Sequence, residues 1–279
     1  MVLLRRTVLI LFSAALMLLS GCTHMIFHPN QVQYYSPEHL DVKHEEVFFK
    51  TRDGLRLHGW WLASQTPKKA NIIFVHGNAQ NISAHIESVA WLTKKGFDVF
   101  LFDYRGYGYS QGETELEGVT NDVLDAIAYG YQRSEKEKTP VFVLGQSLGA
   151  SLAIYAVASS EYKKDIKALV TISAFSDYHK ITQEVLSSWW LTWLLQWPLS
   201  FTVNNDYRPL DYIAEVSPTP VLIMHSAKDE VIPYHHAAKL MRQAKAPKKF
   251  IEIKGLHNYT FVSKQNRRQL VEYLNSFLE

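Results

Sequence analysis

The stretch Val141-Phe142-Val143-Leu144-Gly145-Gln146-Ser147-Leu148-Gly149-Ala150-Ser151-Leu152 decides the fold. Four consecutive apolar residues, 141–144, read as a buried strand. Two glycines then bracket a serine, and a helical run over 148–160 follows directly. A strand, a tight turn and a helix in that order lift the serine hydroxyl above the end of a sheet, at the positive end of a helix. Beside the serine such a turn admits only minimal side chains, which accounts for Gly145 and Gly149. Three fixed residues at ordinary frequencies arise by chance in about one chain of this length in ten. The reading therefore depends on the strand before the serine and the helix after it.

Outward from this stretch the pattern repeats. Val47-Phe48-Phe49 and Leu55 to Leu62 read as two strands around the Asp53-Gly54 turn. Short apolar runs recur at 72–75, 99–102, 168–172 and 221–224, and a shorter last strand at 250–253. Helical stretches over 82–95, 118–133, 148–160, 235–245 and 262–278 separate them. The alternation predicts the α/β class, a mostly parallel eight-stranded sheet with helices on both faces. The rhythm breaks over 176–217, where a short helical cap is expected. Trp189, Trp190, Trp193 and Trp197, four of the seven tryptophans, fall there and are candidates for lining a substrate pocket under the cap. A surface resting on a membrane, or plain core packing, would use them equally well.

In parallel sheets ligands bind beyond the carboxyl ends of the strands, so the chemistry should sit just after the apolar runs. A serine nucleophile needs a base, and the base an orienting carboxylate. Asp229 follows the run 221–224, and His257 follows the last strand. The order serine, acid, histidine is the one this kind of sheet uses. Asp177, after an earlier strand, is the second candidate for the acid. An anion-stabilising site needs donors from the serine turn and from the loop after 72–75. The backbone N–H groups of Asn78 and Leu148 are the candidates, and His76 reads as a buried structural residue. His235-His236 reads as the start of an exposed helix. The other histidines lack ligand spacing, so neither a metal site nor a cofactor is expected.

Five motifs then stand in order: H-G-N-A-Q-N at 76–81, D-Y-R-G-Y-G-Y-S at 103–110, G-Q-S-L-G at 145–149, D-E-V-I-P at 229–233 and G-L-H-N at 255–258. They resemble the small serine hydrolases of the α/β-hydrolase superfamily, in the branch of dienelactone hydrolases, prolyl-oligopeptidase-like domains and depalmitoylases. The resemblance covers almost everything from about residue 45 onward. It implies cleavage of an ester or thioester of a small molecule or lipid through an acyl-enzyme on Ser147. It also implies structural roles for Asp103 and Arg105, bracing the loop beside the serine. Ser226 and Leu256 depart from the family pattern, which favours glycine at both places. A peptidase, and a non-catalytic envelope protein on the same fold, are the competing readings.

The N-terminus is of another kind. Arg5 and Arg6 precede an apolar stretch, Val8 to Leu19, that is short for a membrane span. Leu19-Ser20-Gly21-Cys22 resembles the bacterial lipobox, which implies a lipid on Cys22 and removal of residues 1–21. Cys22 is the only cysteine, so no intramolecular disulfide is available. The expected organisation is a signal peptide over 1–21, a tether over 22–43, with Pro29 and Pro37, and a hydrolase domain over 44–279. The expected location is the bacterial envelope, anchored to the membrane by lipid, on the periplasmic face of the outer membrane in a Gram-negative source. The net charge is +2, and without Arg5 and Arg6 basic and acidic residues balance at 27 each. Nucleic acid is not an expected partner, since phosphate binding needs a basic excess.

Overall fold

The computed structural model describes residues 26–188, 190 and 192–278. Eight strands form one sheet: β1 (His44–Lys50), β2 (Arg56–Leu62), β3 (Ala70–Val75), β4 (Phe97–Phe102), β5 (Val141–Gln146), β6 (Leu169–Ile172), β7 (Val221–Ser226) and β8 (Lys248–Ile253). Their order across the sheet is β1-β2-β4-β3-β5-β6-β7-β8. The pairs β1/β2 and β2/β4 are antiparallel, and the remaining pairs are parallel. This is the expected α/β arrangement.

The central strands are buried on both sides, and their side chains alternate between two cores. In β3, Ile73 and Val75 join one core, whereas Ile72 and Phe74 join the other. The first core is covered by α2 (Leu116–Lys136), α3 (Leu148–Ser159) and α7 (His235–Gln243). The second is covered by α1 (Ile82–Val89) and α8 (Lys264–Asn275). Each fully buried Val, Ile, Leu or Phe contributes roughly 1.5–3 kcal/mol of transfer free energy. Helix α3 is apolar almost all round because it is wedged between the sheet and α2, and most of its residues are buried. The edge strands show the opposite chemistry. β1 alternates buried and exposed positions, and β8 begins with exposed Lys248 and Lys249. Charges on an edge discourage pairing with a second sheet.

Residues 176–217 hold α4 (Tyr178–Ser187), α5 (Gln196–Ser200) and α6 (Pro209–Tyr212), with short 3-10 turns at Trp193–Leu195 and Ile213–Val216. Asp177 caps α4, accepting from the Lys180 N–H at 2.8 Å, and its other oxygen lies 3.4 Å from Arg208.

The tether expectation fails from Ile26 onward. Residues 26–42 are a strap laid against the domain. Phe27 and Val42 are buried, and Pro29 forms a bridge with Gln80. Asn81 Nδ2 donates to the carbonyls of Asn30 and Val32, each at 2.8 Å, and the Gly108 N–H donates to Asn30 at 3.0 Å. A loose tether leaves its backbone to water; here loop side chains satisfy it. The expected signal peptide and Cys22 lie outside the described residues.

Candidate active site

Four strand ends build the site. Ser147 sits between β5 and α3 with φ 54° and ψ −122°, a conformation that non-glycine residues rarely adopt. Its N–H is held by the Ile172 carbonyl at 2.8 Å. The turn closes tightly on β3. A Cβ on Gly149 would lie 2.2 Å from the carbonyl oxygens of both Val75 and His76, and one on Gly145 would lie 2.5 Å from Ala150 Cα. The two glycines are thus required by close approach.

His257 Nε2 lies 2.9 Å from Ser147 Oγ. On the other side of the ring, Nδ1 lies 2.9 Å from each oxygen of Asp229. Asp229 Oδ1 also accepts from the N–H groups of Val231 and Ile232, at 3.0 and 2.8 Å. Burial alone would raise this carboxyl, but the His257 hydrogen bond, its charge and the Ile232 N–H outweigh burial and hold it down at about 2. Asp229 is therefore an anion at neutral pH. It fixes the proton on Nδ1 and leaves Nε2 free to accept from the serine. Asp177, capping α4, takes no part in this relay.

Two neighbours of the relay were not legible as such. Glu230 Oε2 accepts the His257 backbone N–H at 3.0 Å and so fixes the histidine loop. Ser226, where the family pattern favours glycine, donates to the Gly255 carbonyl at 2.6 Å and accepts from the Lys228 N–H at 3.1 Å. Its hydroxyl ties the acid loop to the histidine loop.

Asn78, Leu148 and Ser147 line one cavity of about 220 Å³. Among the described residues the N–H groups of Asn78 and Leu148 carry no hydrogen bond, so both can serve an incoming oxygen. The Asn78 side chain is fully engaged. Its Oδ1 accepts from the N–H groups of His28 (3.1 Å) and Ala79 (2.7 Å) and from Tyr107 Oη (3.1 Å), and its Nδ2 donates to the Ile26 carbonyl. The strap therefore reaches the candidate oxyanion site and helps hold a loop in which Ala79 and Gln80 both have φ 63°. Behind it His76 is fully buried, stacked on Tyr104 at 4.1 Å, and burial drives its pKa well below the usual histidine value. Asp103 accepts the Ile82 N–H at 2.8 Å, and Arg105 forms a buried bidentate pair with Asp122.

The rest of the cavity is mostly apolar: Phe175, Ile181, Val185, Leu186, Leu199 and Val203 line it with Ile26 and Val231, and His28 and Thr182 are the polar exceptions. The tryptophan expectation is corrected here. Trp190, Trp193 and Trp197 are 86%, 55% and 58% exposed and do not line the cavity, and Trp189 lies outside the described residues. The inner face of the cap is aliphatic and its outer face aromatic.

The histidine pair also differs from expectation. His236 is fully buried, and His235 is half-buried. With Glu184 on α4 the pair brings three potential ligand atoms within 4.8 Å. The donor set is arranged for hydrogen bonding instead. His236 Nδ1 accepts from the Ser176 N–H at 3.1 Å, so its proton resides on Nε2 and is given to Glu184 Oε2 at 2.8 Å. A metal on Nε2 would have to displace that proton while Nδ1 keeps accepting. The contact latches the cap helix to α7.

Burial lowers His236 to about 4; Glu184 pulls the other way, and His235 and Lys239 add to the lowering. From about pH 6.5 down to 4 the unfolded chain holds this proton and the native chain does not, so stability falls with pH across that window. The loss is up to about 3 kcal/mol. Urea unfolding at pH 7 and pH 4.5 should show a smaller pH difference for His236→Gln than for wild type. Equal differences would remove His236 from the acid response.

With this geometry in place, comparisons with known proteins decide the family. The profile of Hydrolase_4, described as serine aminopeptidase, S33, matches residues 66–212. The chain belongs to the serine aminopeptidase S33 family. The matched span of this S33-family chain includes Ser147 and ends before Asp229 and His257. The uncharacterized protein YfhR of Escherichia coli K12 is 33% identical over 91% of this chain and 88% of that protein. The α/β-hydrolase domain-containing protein WAV2 of Arabidopsis thaliana is 28% identical over 82% and 77%. Among solved structures, an esterase of Pyrococcus furiosus superposes with a TM-score of 0.73 at 19% identity, covering 91% of this chain and 98% of that one. A soluble variant of monoglyceride lipase from Saccharomyces cerevisiae does so with 0.63 at 17%, covering 90% and 98%. These likenesses show the α/β-hydrolase fold.

Proposed function

We propose that this hydrolase cleaves carboxylic esters or thioesters of apolar acyl groups, with Ser147 as nucleophile. The observation that carries the reading is the unbroken hydrogen-bonded line Asp229–His257–Ser147 opening into an apolar cavity. His257 Nε2 takes the Ser147 proton as Oγ attacks the acyl carbon. The carbonyl oxygen becomes an oxyanion that the N–H groups of Asn78 and Leu148 receive. The tetrahedral intermediate collapses, the leaving alcohol or thiol takes the proton back from His257, and the acyl-enzyme remains. Water, deprotonated by His257, then releases the acid and restores the serine. All proton transfers and charge stabilisation come from these residues, so the scheme calls on no metal or cofactor.

A lipid on Cys22 after removal of residues 1–21 would hold the enzyme on a bacterial membrane, where acylated substrates concentrate. The family description offers an aminopeptidase as a second reading. A free α-amino group needs a carboxylate to bind it, and among the described residues no Asp or Glu lines the cavity. That favours an uncharged acyl group.

The test is a series of p-nitrophenyl esters from acetyl to palmitoyl, with a matched amide, and fluorophosphonate labelling of Ser147. Each methylene buried in the cavity adds about 0.8 kcal/mol, so kcat/KM should rise roughly fourfold per carbon beyond acetyl until the cavity is full. A flat profile, faster amide cleavage or an unlabelled serine would each count against this reading.

A further inference from the structure

From Val185 to Asn205 the chain carries no charged side chain. This stretch covers the end of α4, the Trp193–Leu195 turn and α5. Its inner residues, Val185, Leu186, Leu199 and Val203, face the cavity. Its outer residues include Trp190, Leu194, Trp197 and Phe201, exposed by 86%, 77%, 58% and 65%. Single exposed apolar residues need no explanation, but several on one short cap make a patch that marks an interaction surface. The rim of the cavity continues it: Val185 and Val231 line the cavity and are exposed as well.

What covers this surface is indicated by where the chain outside the described residues ends. The structure begins at Ile26, and Ile26 itself lines the same cavity as the cap. Cys22 is four residues earlier, which fully extended chain spans in at most about 14 Å. Before it stands the apolar stretch Val8 to Leu19. A lipid on Cys22 would put the membrane attachment within about 14 Å of the cavity wall, and the stretch ending at Leu19, seven residues before Ile26, would put it within about 25 Å. This step rests on the anchoring read above and not on the catalytic assignment.

We infer that the aromatic outer face of the cap is a bilayer-docking surface that sets the cavity mouth against the lipid interface. Tryptophan and phenylalanine are suited to that depth, with apolar rings among the acyl chains and, for tryptophan, an N–H at headgroup level. The lack of charge over Val185–Asn205 fits a zwitterionic lipid surface and binding insensitive to salt, since attraction to anionic lipid would need Lys or Arg there. An acyl substrate would then pass from the bilayer into the cavity without crossing water.

The experiment uses the full chain reconstituted at high lipid excess in phosphatidylcholine vesicles whose acyl chains are brominated near the headgroup. Tryptophan emission reports contact, and the buried Trp60 and Trp61 give an internal background. Wild type should be quenched at least about twofold more than the triple variant Trp190→Ser, Trp193→Ser, Trp197→Ser. That variant should keep its turnover of a water-soluble short-chain ester and lose at least about tenfold toward an ester carried in the vesicles. Ser147→Ala should be quenched like wild type, which keeps this result separate from any failure of the hydrolase reading. Equal quenching of wild type and triple variant would overturn the inference. So would quenching that tracks protein density rather than lipid contact, which would assign the face to a second copy of the chain.

Discussion

Replacing Ser147 by alanine lowers kcat toward p-nitrophenyl esters by about 10⁴- to 10⁶-fold and leaves the fold intact, as the expected result of the relay geometry. The serine hydroxyl bonds His257, so its removal costs little structure. Alanine keeps a Cβ in the same backbone conformation, and the Ser147 N–H bond to Ile172 is unaffected. Asp229→Asn belongs to the same argument. An asparagine that presents its NH₂ to Nδ1 selects the imidazole with its proton on Nε2, facing the serine. It can then no longer accept the serine proton, and the expected loss is about 10⁴-fold at neutral pH. Circular dichroism and melting should be near wild type for both. Retained turnover in Ser147→Ala would place the chemistry on another residue and defeat the mechanism.

Gly149→Ala has the largest expected effect on stability. Alanine is ordinarily the better helix residue, by about 1 kcal/mol over glycine. Here the added Cβ would stand 2.2 Å from two carbonyl oxygens of the Val75-His76 segment. Both are backbone atoms at the end of a central strand, so neither can turn aside as a long side chain would. Relief requires α3 to move off β3, which opens the core on that face. The clash outweighs the helix gain, and the net loss is at least about 3 kcal/mol. For a chain of this size that lowers the melting temperature by roughly 5–10 °C. Activity should fall with it, because the same shift displaces the Leu148 N–H. A melting temperature within a degree or two of wild type would mean that the turn absorbs the added methyl without moving α3.

Which parts of this protein are readable from residues follows from how local their causes are. The parallel strands are short apolar runs because they are buried on both faces, so β3, β4, β5 and β7 stand out in the sequence. Ser147, Asp229 and His257 could be named because each directly follows such a run, and their order is set by the topology. The strap over 26–42 could not be read. It is polar and proline-containing, like a tether, and it is held by backbone bonds to Asn78, Asn81 and Gly108, dozens of residues away. The tryptophans of the cap gave their composition but not their direction. A short helix with apolar residues on both sides has no single inner face, so only packing against the cavity decides that the aliphatic side turns in.

The burial of His236 departs from the sequence pattern for a related reason. A histidine beside a second histidine near a helix start looks exposed, and only the arrival of Glu184 and Ser176 from the cap buries it. Sequence alone determined the mostly parallel sheet and the strand-end positions of Ser147, Asp229 and His257, because burial periodicity and strand-end position are local properties. The strap against Asn78, the Glu230 brace on His257 and the outward aromatic face were decided only in three dimensions, because each is a contact between segments that no local pattern brings together.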